Sequence, residues 1–285
     1  MTIIARPDGA SIHYEVEGTG FPLLLIAPGG VSSQVEFWDQ SAFNPMKELS
    51  DEFRVIGMDQ RHAGTSFAPA TPFSYAQTAG DQLAVLDDAG ARRAHVMGGC
   101  IGGAYIWNLI QAAPERIAAA VAQNPVGLNE TNNVGVFYAM FNETMRVAKA
   151  EGMKAVTAAA IQNSLFMANN AAGPFAPRIA NDPAFRAEIE AMAPEDYVAL
   201  VVAFRDGMWP DKPPYFTATP EWMQSCTTPM LVAPGNDPFH PRGIGERIAR
   251  EAPNATMLPF QWNDPDRRQD FIDTVRTFLR AQTPA

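Results

Sequence analysis

Short apolar runs, each closed by turn residues, alternate with stretches of helical pattern along this 285-residue chain. Seven such runs lie at 11–18, 22–30, 53–59, 94–100, 117–125, 229–237 and 255–260. The first alternates like a half-buried strand, whereas the others are apolar throughout, as strands covered on both faces are. The pattern therefore predicts an α/β fold with a mostly parallel sheet and helices on both faces.

Composition and charge narrow the class of partner. Hydrophobic residues make up 47% of the chain and charged residues 18%, which allows a sizeable core and fits one domain with an embellishment. The net charge is -10, and no cluster of Lys and Arg offsets it, so nucleic acid would be repelled. We expect a small-molecule substrate as the partner and no nucleic acid.

Cysteine usage and the first residues predict a compartment. Only Cys100 and Cys226 occur, which argues against a disulfide framework and favours a reducing environment. The first ten residues lack the features of a secretory signal, and no stretch reaches membrane-spanning length. We therefore expect a cytoplasmic protein that does not bind membranes; the sequence leaves its oligomeric state open, a homodimer included.

A long segment separates the runs at 117–125 and 229–237. It is rich in Ala, Met, Phe and Asn, has helical patterning around 134–170 and 183–207, and is interrupted by proline-rich stretches. This composition predicts a helical insertion over the sheet rather than a second domain.

The stretch "HVMGGCIGGA" at 95–104 places a cysteine where an apolar strand meets a helix. Gly98 and Gly102 flank Cys100 at two residues on either side, which is the spacing of a nucleophile elbow with a thiol in the place of serine. Such glycines leave room for a sharp chain reversal. The helix N-terminus would favour the thiolate, so Cys100 is a candidate nucleophile; the alternative is a small buried apolar residue.

Four motifs in order resemble the α/β-hydrolase fold superfamily over essentially the whole chain. They are "LLLIAPGG", "RVIGMDQRHAGTS", "HVMGGCIGG" and "MLVAPGNDPFHP". The resemblance implies a mostly parallel, eight-stranded twisted sheet. It also implies a helical cap at residues 128–216, inserted between core segments 1–127 and 217–285.

The resemblance also implies site residues. Cys100 would be the nucleophile and Asp237 the acid of a catalytic triad, although Asp237 before a proline is also an ordinary helix start. The backbone N–H groups of Gly30 and Ile101 would form the oxyanion hole.

One departure from the family pattern concerns the general base. The family offers a histidine after the last strand, where this chain reads "LPFQWNDPD". Of the four histidines, His13 and His95 are expected to be structural, the latter as a capping or surface residue. His62, in the turn beside the oxyanion loop, is a second candidate. His240, three residues beyond Asp237, is the leading candidate for proton transfer; a role in lining the pocket is the alternative.

The remaining expectations concern the pocket and its cofactors. Trp209 in the insertion, Trp262 in the place of the absent histidine, and His62 are candidate pocket residues. No Cys/His cluster has metal-ligand spacing, and the glycine pair in "APGG" lacks the lysine of a phosphate-binding loop. We therefore expect neither a metal nor a cofactor.

These features favour a hydrolase. Cys100 would act on a small, largely apolar ester, lactone, thioester or activated C–C bond. A thiol needs a base less than a hydroxyl does, but water that attacks a thioester still needs one. An acyltransferase, a lyase or a cofactor-free oxygenase on the same fold therefore stays open, as does a non-catalytic ligand-binding protein.

Overall fold

The computed structural model describes residues 1–284 and contains an eight-stranded sheet. The strands are β1 (Thr2–Ala5), β2 (Ser11–Glu17), β3 (Phe21–Ile26), β4 (Phe53–Met58), β5 (Ala94–Gly99), β6 (Ile117–Gln123), β7 (Met230–Ala233) and β8 (Ala255–Met257). Their order is β1-β2-β4-β3-β5-β6-β7-β8. β2 is antiparallel to β1 and β4, and the pairs from β4 to β8 are parallel, which confirms the predicted fold class.

Helices connect these strands. Within residues 1–284 they are α1 (Pro45–Glu48), α2 (Tyr75–Asp88), α3 (Gly102–Ala112), α4 (Val134–Tyr138), α5 (Asn142–Glu151), α6 (Met153–Gln162), α7 (Ala176–Asn181), α8 (Pro183–Ala191), α9 (Pro194–Met208), α10 (Pro220–Ser225), α11 (Arg242–Glu251) and α12 (Arg268–Ala281). None of them is both long and apolar enough to cross a membrane.

A hydrophobic core covers each face of the sheet. Successive side chains of a strand point to opposite faces, so one strand can contribute to both cores. On β3, Leu24 and Ile26 belong to the core that α2 and α3 cover. Leu23 and Leu25 belong to the opposite core, which α12 covers. This two-sided burial explains why β3 is apolar throughout.

Helix α12 begins slightly later than its sequence signal. The Asp264 side chain accepts a hydrogen bond from Asp266 N, and Pro265 opens a short 3-10 turn before the α-helix starts at Arg268. Phe271 and Val275 are fully buried against the sheet. Each contributes about 1.5–3 kcal/mol of burial free energy, which fixes the helix there.

A helical segment lies between β6 and β7. It holds α4 to α10, and within the described residues it contributes no strand to the sheet. Its residues Met208 and Trp209 reach the loop after β3, at the carboxyl end of the sheet. The boundaries 128–216 of a cap, with core segments 1–127 and 217–285, stay a prediction.

Candidate active site

Cys100 lies at the corner between β5 and α3 in a strained backbone conformation. Its φ is 59°, in the left-handed region that residues other than glycine rarely adopt. Its N–H donates to Gln123 O at 3.0 Å, and its carbonyl accepts from Val126 N at 3.3 Å. The end of β6 therefore holds the strained residue in place, as expected where strain serves a site.

The glycines around the corner are required by close backbone contacts. A Cβ at Gly98 would lie 2.9 Å from Gly102 O, and a Cβ at Gly102 would lie 3.2 Å from Ile26 O. A side chain at Gly98 would push α3 away from β5, and one at Gly102 would push α3 away from β3. The spacing of the glycines in the sequence therefore has a steric cause in the fold.

The two amides predicted for the oxyanion hole lie beside this corner. Gly30 has a φ of 61°, and a Cβ built on it would lie 4.0 Å from Ile101 Cγ2. Among the described hydrogen bonds of turns and loops, neither N–H has a backbone carbonyl partner. Both donors are thus available to a ligand oxygen; their catalytic role stays a prediction.

Asp237 and His240 form a pair on the loop after β7. The Asp237 carboxylate lies 2.9 Å (Oδ1) and 2.8 Å (Oδ2) from His240 Nδ1, and Oδ1 also accepts from His240 N at 3.0 Å. The loop folds back so closely that a Cβ at Gly235 would lie 2.4 Å from His240 Cβ. One short turn therefore holds the acid and the imidazole together.

A buried asparagine, which the sequence analysis missed, anchors this loop. Asn132 Nδ2 donates to Phe239 O at 3.1 Å and to Gly127 O at 3.0 Å. It thereby ties the residue before His240 to the segment after β6. No short-range pattern marks such a contact, because its partners lie 107 residues apart.

The charges around His240 alter its protonation. Burial lowers the pKa of His240, but the neighbouring Cys100 sulfur and the Asp237 carboxylate raise it by more, to about 9. Burial alone would raise the pKa of Asp237, but the hydrogen bonds with His240 and its charge outweigh this effect and lower the pKa. Nε2 of His240 is buried and has no hydrogen-bond partner among residues 1–284. His240 is thus a cation near neutral pH, adjacent to the Cys100 sulfur.

Cys100 and His240 line one cavity of about 310 Å³. The other residues that line it are almost all apolar: Gly29, Gly30, Val31, Phe37, Val126, Phe137, Met140, Phe166, Met167, Met208, Trp209 and Phe239. Among these described residues only Cys100 and His240 carry ionisable side chains.

Three pocket residues were predicted, and the structure brings only Trp209 to this cavity. Trp262 instead packs towards Phe271, with ring centroids 6.1 Å apart, on the face of the sheet that α12 covers. His62 is enclosed by the rings of Phe175 and Phe204, whose centroids lie 5.1 and 5.5 Å from its own. Neither Trp262 nor His62 lines the cavity.

The remaining histidines also lie away from the cavity. Burial and nearby arginines lower the pKa of His62 to about 3, so it stays neutral. His13 is paired with Asp59 at 2.8 Å. His95 is fully buried rather than a surface residue, and its Nε2 lies 3.0 Å from Thr283 Oγ1. His240 is therefore the one histidine that the structure places with Cys100.

Other chemistry-bearing groups form no second centre. Within residues 1–284, no three His, Cys, Asp or Glu side chains are arranged to hold a metal ion. Cys226 is buried, and this burial raises the pKa of its thiol. Cys226 is thus a packing residue.

Comparison with known proteins identifies the family. A sequence model of the α/β-hydrolase fold matches residues 22–206, which is more than half of the chain. The chain belongs to the α/β-hydrolase fold family. This membership agrees with the strand order and with the strained corner at Cys100 described above.

Individual relatives are distant. "Putative carbamate hydrolase RutD" of Azorhizobium caulinodans is 35% identical over 120 residues, which cover 42% of this chain and 43% of the relative. An acetyltransferase component of the acetoin cleaving system from Cupriavidus necator is 29% identical over 131 residues, 46% of this chain and 34% of its own. The chain thus spans less than half the length of these curated relatives.

A solved structure matches the whole fold. A hydrolase from Pseudomonas aeruginosa superposes with a TM-score of 0.63 at 27% identity, covering 98% of this chain and 97% of that one. The architecture is therefore shared over nearly the full length.

Proposed function

We propose that this protein is a hydrolase that uses Cys100 as its nucleophile on small, neutral, largely apolar esters, lactones, thioesters or activated C–C bonds. The observation that carries the proposal is the Asp237–His240 pair: His240 lines the same cavity as Cys100, and its Nε2 has no hydrogen-bond partner among residues 1–284. This arrangement supplies a base although no histidine follows β8.

For an ester, the first half of the reaction forms a thioester. The Cys100 thiolate attacks the carbonyl carbon, and the developing oxyanion accepts hydrogen bonds from Gly30 N and Ile101 N, each worth about 3 kcal/mol of barrier lowering. The C–O bond to the leaving group then breaks, and the His240 imidazolium gives its proton to the departing oxygen. His240 is left neutral.

The second half uses the same imidazole as a base. In the free protein, the interaction with Cys100 raises the pKa of His240. Acylation of the sulfur removes this interaction, so the pKa of His240 falls. His240 can then take a proton from the attacking water, the C–S bond breaks, and the acid leaves. The thiolate and the imidazolium are thereby restored.

The substrate class follows from the cavity wall. Its described residues include no carboxylate and no Lys or Arg, and the imidazole of His240 is already paired with Asp237, so a charged substrate would find no free partner there. The cavity volume of about 310 Å³ suits a small acyl group. A small neutral acyl compound fits both restrictions.

The decisive experiment traps the acyl group. In His240→Gln, loss of the base should slow deacylation, so that p-nitrophenyl butyrate leaves one butyryl group on Cys100, found by intact mass and peptide mapping. Cys100→Ala should show neither adduct nor turnover, and Cys226→Ala should behave like the wild type. Turnover by Cys100→Ala at the wild-type rate would contradict the proposal.

An acyltransferase would form the same butyryl adduct on Cys100, so a second experiment separates transfer from hydrolysis. Added alcohols or amines should leave the rate of acid release unchanged if water is the natural acceptor. Efficient diversion of the butyryl group to such an acceptor would favour transfer over hydrolysis.

A further inference from the structure

Trp209 carries a hydrogen-bond donor that the proposed reaction does not use. Its side chain lines the cavity and is only 4% exposed, and its Nε1 has no hydrogen-bond partner among residues 1–284. A buried N–H without a partner is unfavourable. A phenylalanine would provide an apolar wall without this disadvantage.

The orientation of the indole is fixed by its neighbours. Its ring stacks on Phe137, with centroids 4.2 Å apart and planes at 17°, and meets the Phe216 ring edge-on at 5.4 Å. These two contacts hold the ring between α4 and the segment after α9. The N–H therefore points in a set direction.

That direction brings the polar edge of the indole to the oxyanion loop. Cζ2 of Trp209 lies 3.8 Å from a Cβ built on Gly30, and Cζ2 is bonded to the ring carbon that carries Nε1. The edge of the indole that carries Nε1 thus lies beside Gly30, whose amide is one of the two donors of the proposed oxyanion hole. An acceptor that reaches it must be close to the reacting carbonyl.

We infer that Trp209 Nε1 binds a second oxygen of the substrate, on the carbon next to the reacting carbonyl. The substrate class is then a neutral ester, lactone or thioester with an ether, hydroxyl or keto oxygen at the α position. This inference rests on the proposed function, because Gly30 N, Ile101 N, Cys100 and His240 all act at the reacting carbonyl. The indole is the donor left over in the described cavity wall.

A pair of probes isolates this contact. p-Nitrophenyl methoxyacetate and p-nitrophenyl butyrate have the same chain length and differ by an ether oxygen in the place of a methylene group. The difference in their intrinsic reactivity cancels when the ratio of their kcat/KM values is compared between variants.

Trp209→Phe should lower the methoxyacetate-to-butyrate ratio about fivefold, as loss of one hydrogen bond does. Trp222→Phe, whose residue lies outside the cavity lining, should leave the ratio unchanged. An unchanged ratio in Trp209→Phe would overturn the inference. So would an equal loss for both esters, which would make the indole an apolar wall or a donor to the oxyanion.

A binding measurement separates this inference from the nucleophile assignment. Calorimetry on Cys100→Ala and on Cys100→Ala with Trp209→Phe gives the Kd values of both esters. The methoxy ester should lose about fivefold in relative affinity in the double variant. If Cys100→Ala still turns over the esters but the affinity ratio shifts, the assignment of Cys100 as nucleophile is wrong and the indole contact stands. If neither probe binds, the indole contact is overturned.

Discussion

The loops that leave β7 and β8 begin at the same edge of the sheet but reach different places. The loop after β7 folds back at Gly235 and places His240 on the cavity wall. The loop after β8 carries Trp262 to the opposite core, against α12. In the proposed mechanism, therefore, the base is set by where an imidazole lies and not by which strand precedes it.

The largest expected effect tests this difference directly. His240→Gln should lower kcat for p-nitrophenyl butyrate about 10²- to 10⁴-fold, because deacylation then limits turnover and a positioned acid or base contributes that much. Adding Gln261→His should not restore activity, because residue 261 does not line the cavity. Steady-state kinetics measure both, with circular dichroism as the control for folding; recovery in the double variant would show that the β8 loop can supply the base.

The charge environment of the β7 loop gives the next effect. The pKa of His240, about 9, should fall in Cys100→Ala, since the neighbouring sulfur raises it. Cys226→Ala should leave it unchanged. NMR titration of the imidazole measures the shift; equal values in all three proteins would show that the sulfur does not interact with His240.

The same raised pKa predicts how stability depends on pH. Because the folded-state pKa of about 9 lies above the ordinary 6.5, the contribution of His240 is complete below pH 6.5 and is lost as the pH rises through about 9. The gap in unfolding free energy between wild type and His240→Gln should therefore narrow between pH 6 and pH 10. Urea unfolding across that range measures it, and a constant gap would contradict the raised pKa.

The anchor of the β7 loop gives a smaller effect. Asn132→Ala should cost about 1–3 kcal/mol in unfolding free energy, because the Phe239 and Gly127 carbonyls lose their donor. Displacement of His240 should also lower kcat roughly 10- to 10²-fold. Asn133→Ala, which removes the cap of α4, should lower stability but not activity; equal activity losses would deny Asn132 a positioning role.

The β8 loop should give the smallest effect. Trp262→Phe should leave kcat/KM within about twofold of the wild type and cost about 1 kcal/mol of stability, as a moderate change in packing does. Thermal unfolding and ester hydrolysis test the two parts. A large loss of activity would place Trp262 at the site after all.

Much of the fold can be predicted from the sequence because the patterns that mark buried strands and turns are local. The continuous apolar run of β3 reflects burial on both faces, and the run at 94–100 locates β5 and its corner. β1 was not predicted, because it is a four-residue edge strand with three exposed residues, and its apolar run of three residues is too short to mark a strand. Local sequence patterns thus indicate elements that are buried, and a short, exposed edge strand has little of this pattern.

The site was predictable only where its parts are close in the chain. Asp237 and His240 are three residues apart, and Cys100 is marked by its glycines. The bond from Asn132 to Phe239 and the enclosure of His62 depend on contacts between distant segments. Periodicity cannot encode such contacts, so the loop anchor was missed and His62 was expected near the pocket.

The acid and the imidazole share one turn, with two residues between them. The proposed mechanism thus takes both its acid and its base from one short segment and needs no residue of the loop after β8. That loop is therefore released, in this mechanism, from the requirement to keep a particular side chain for catalysis.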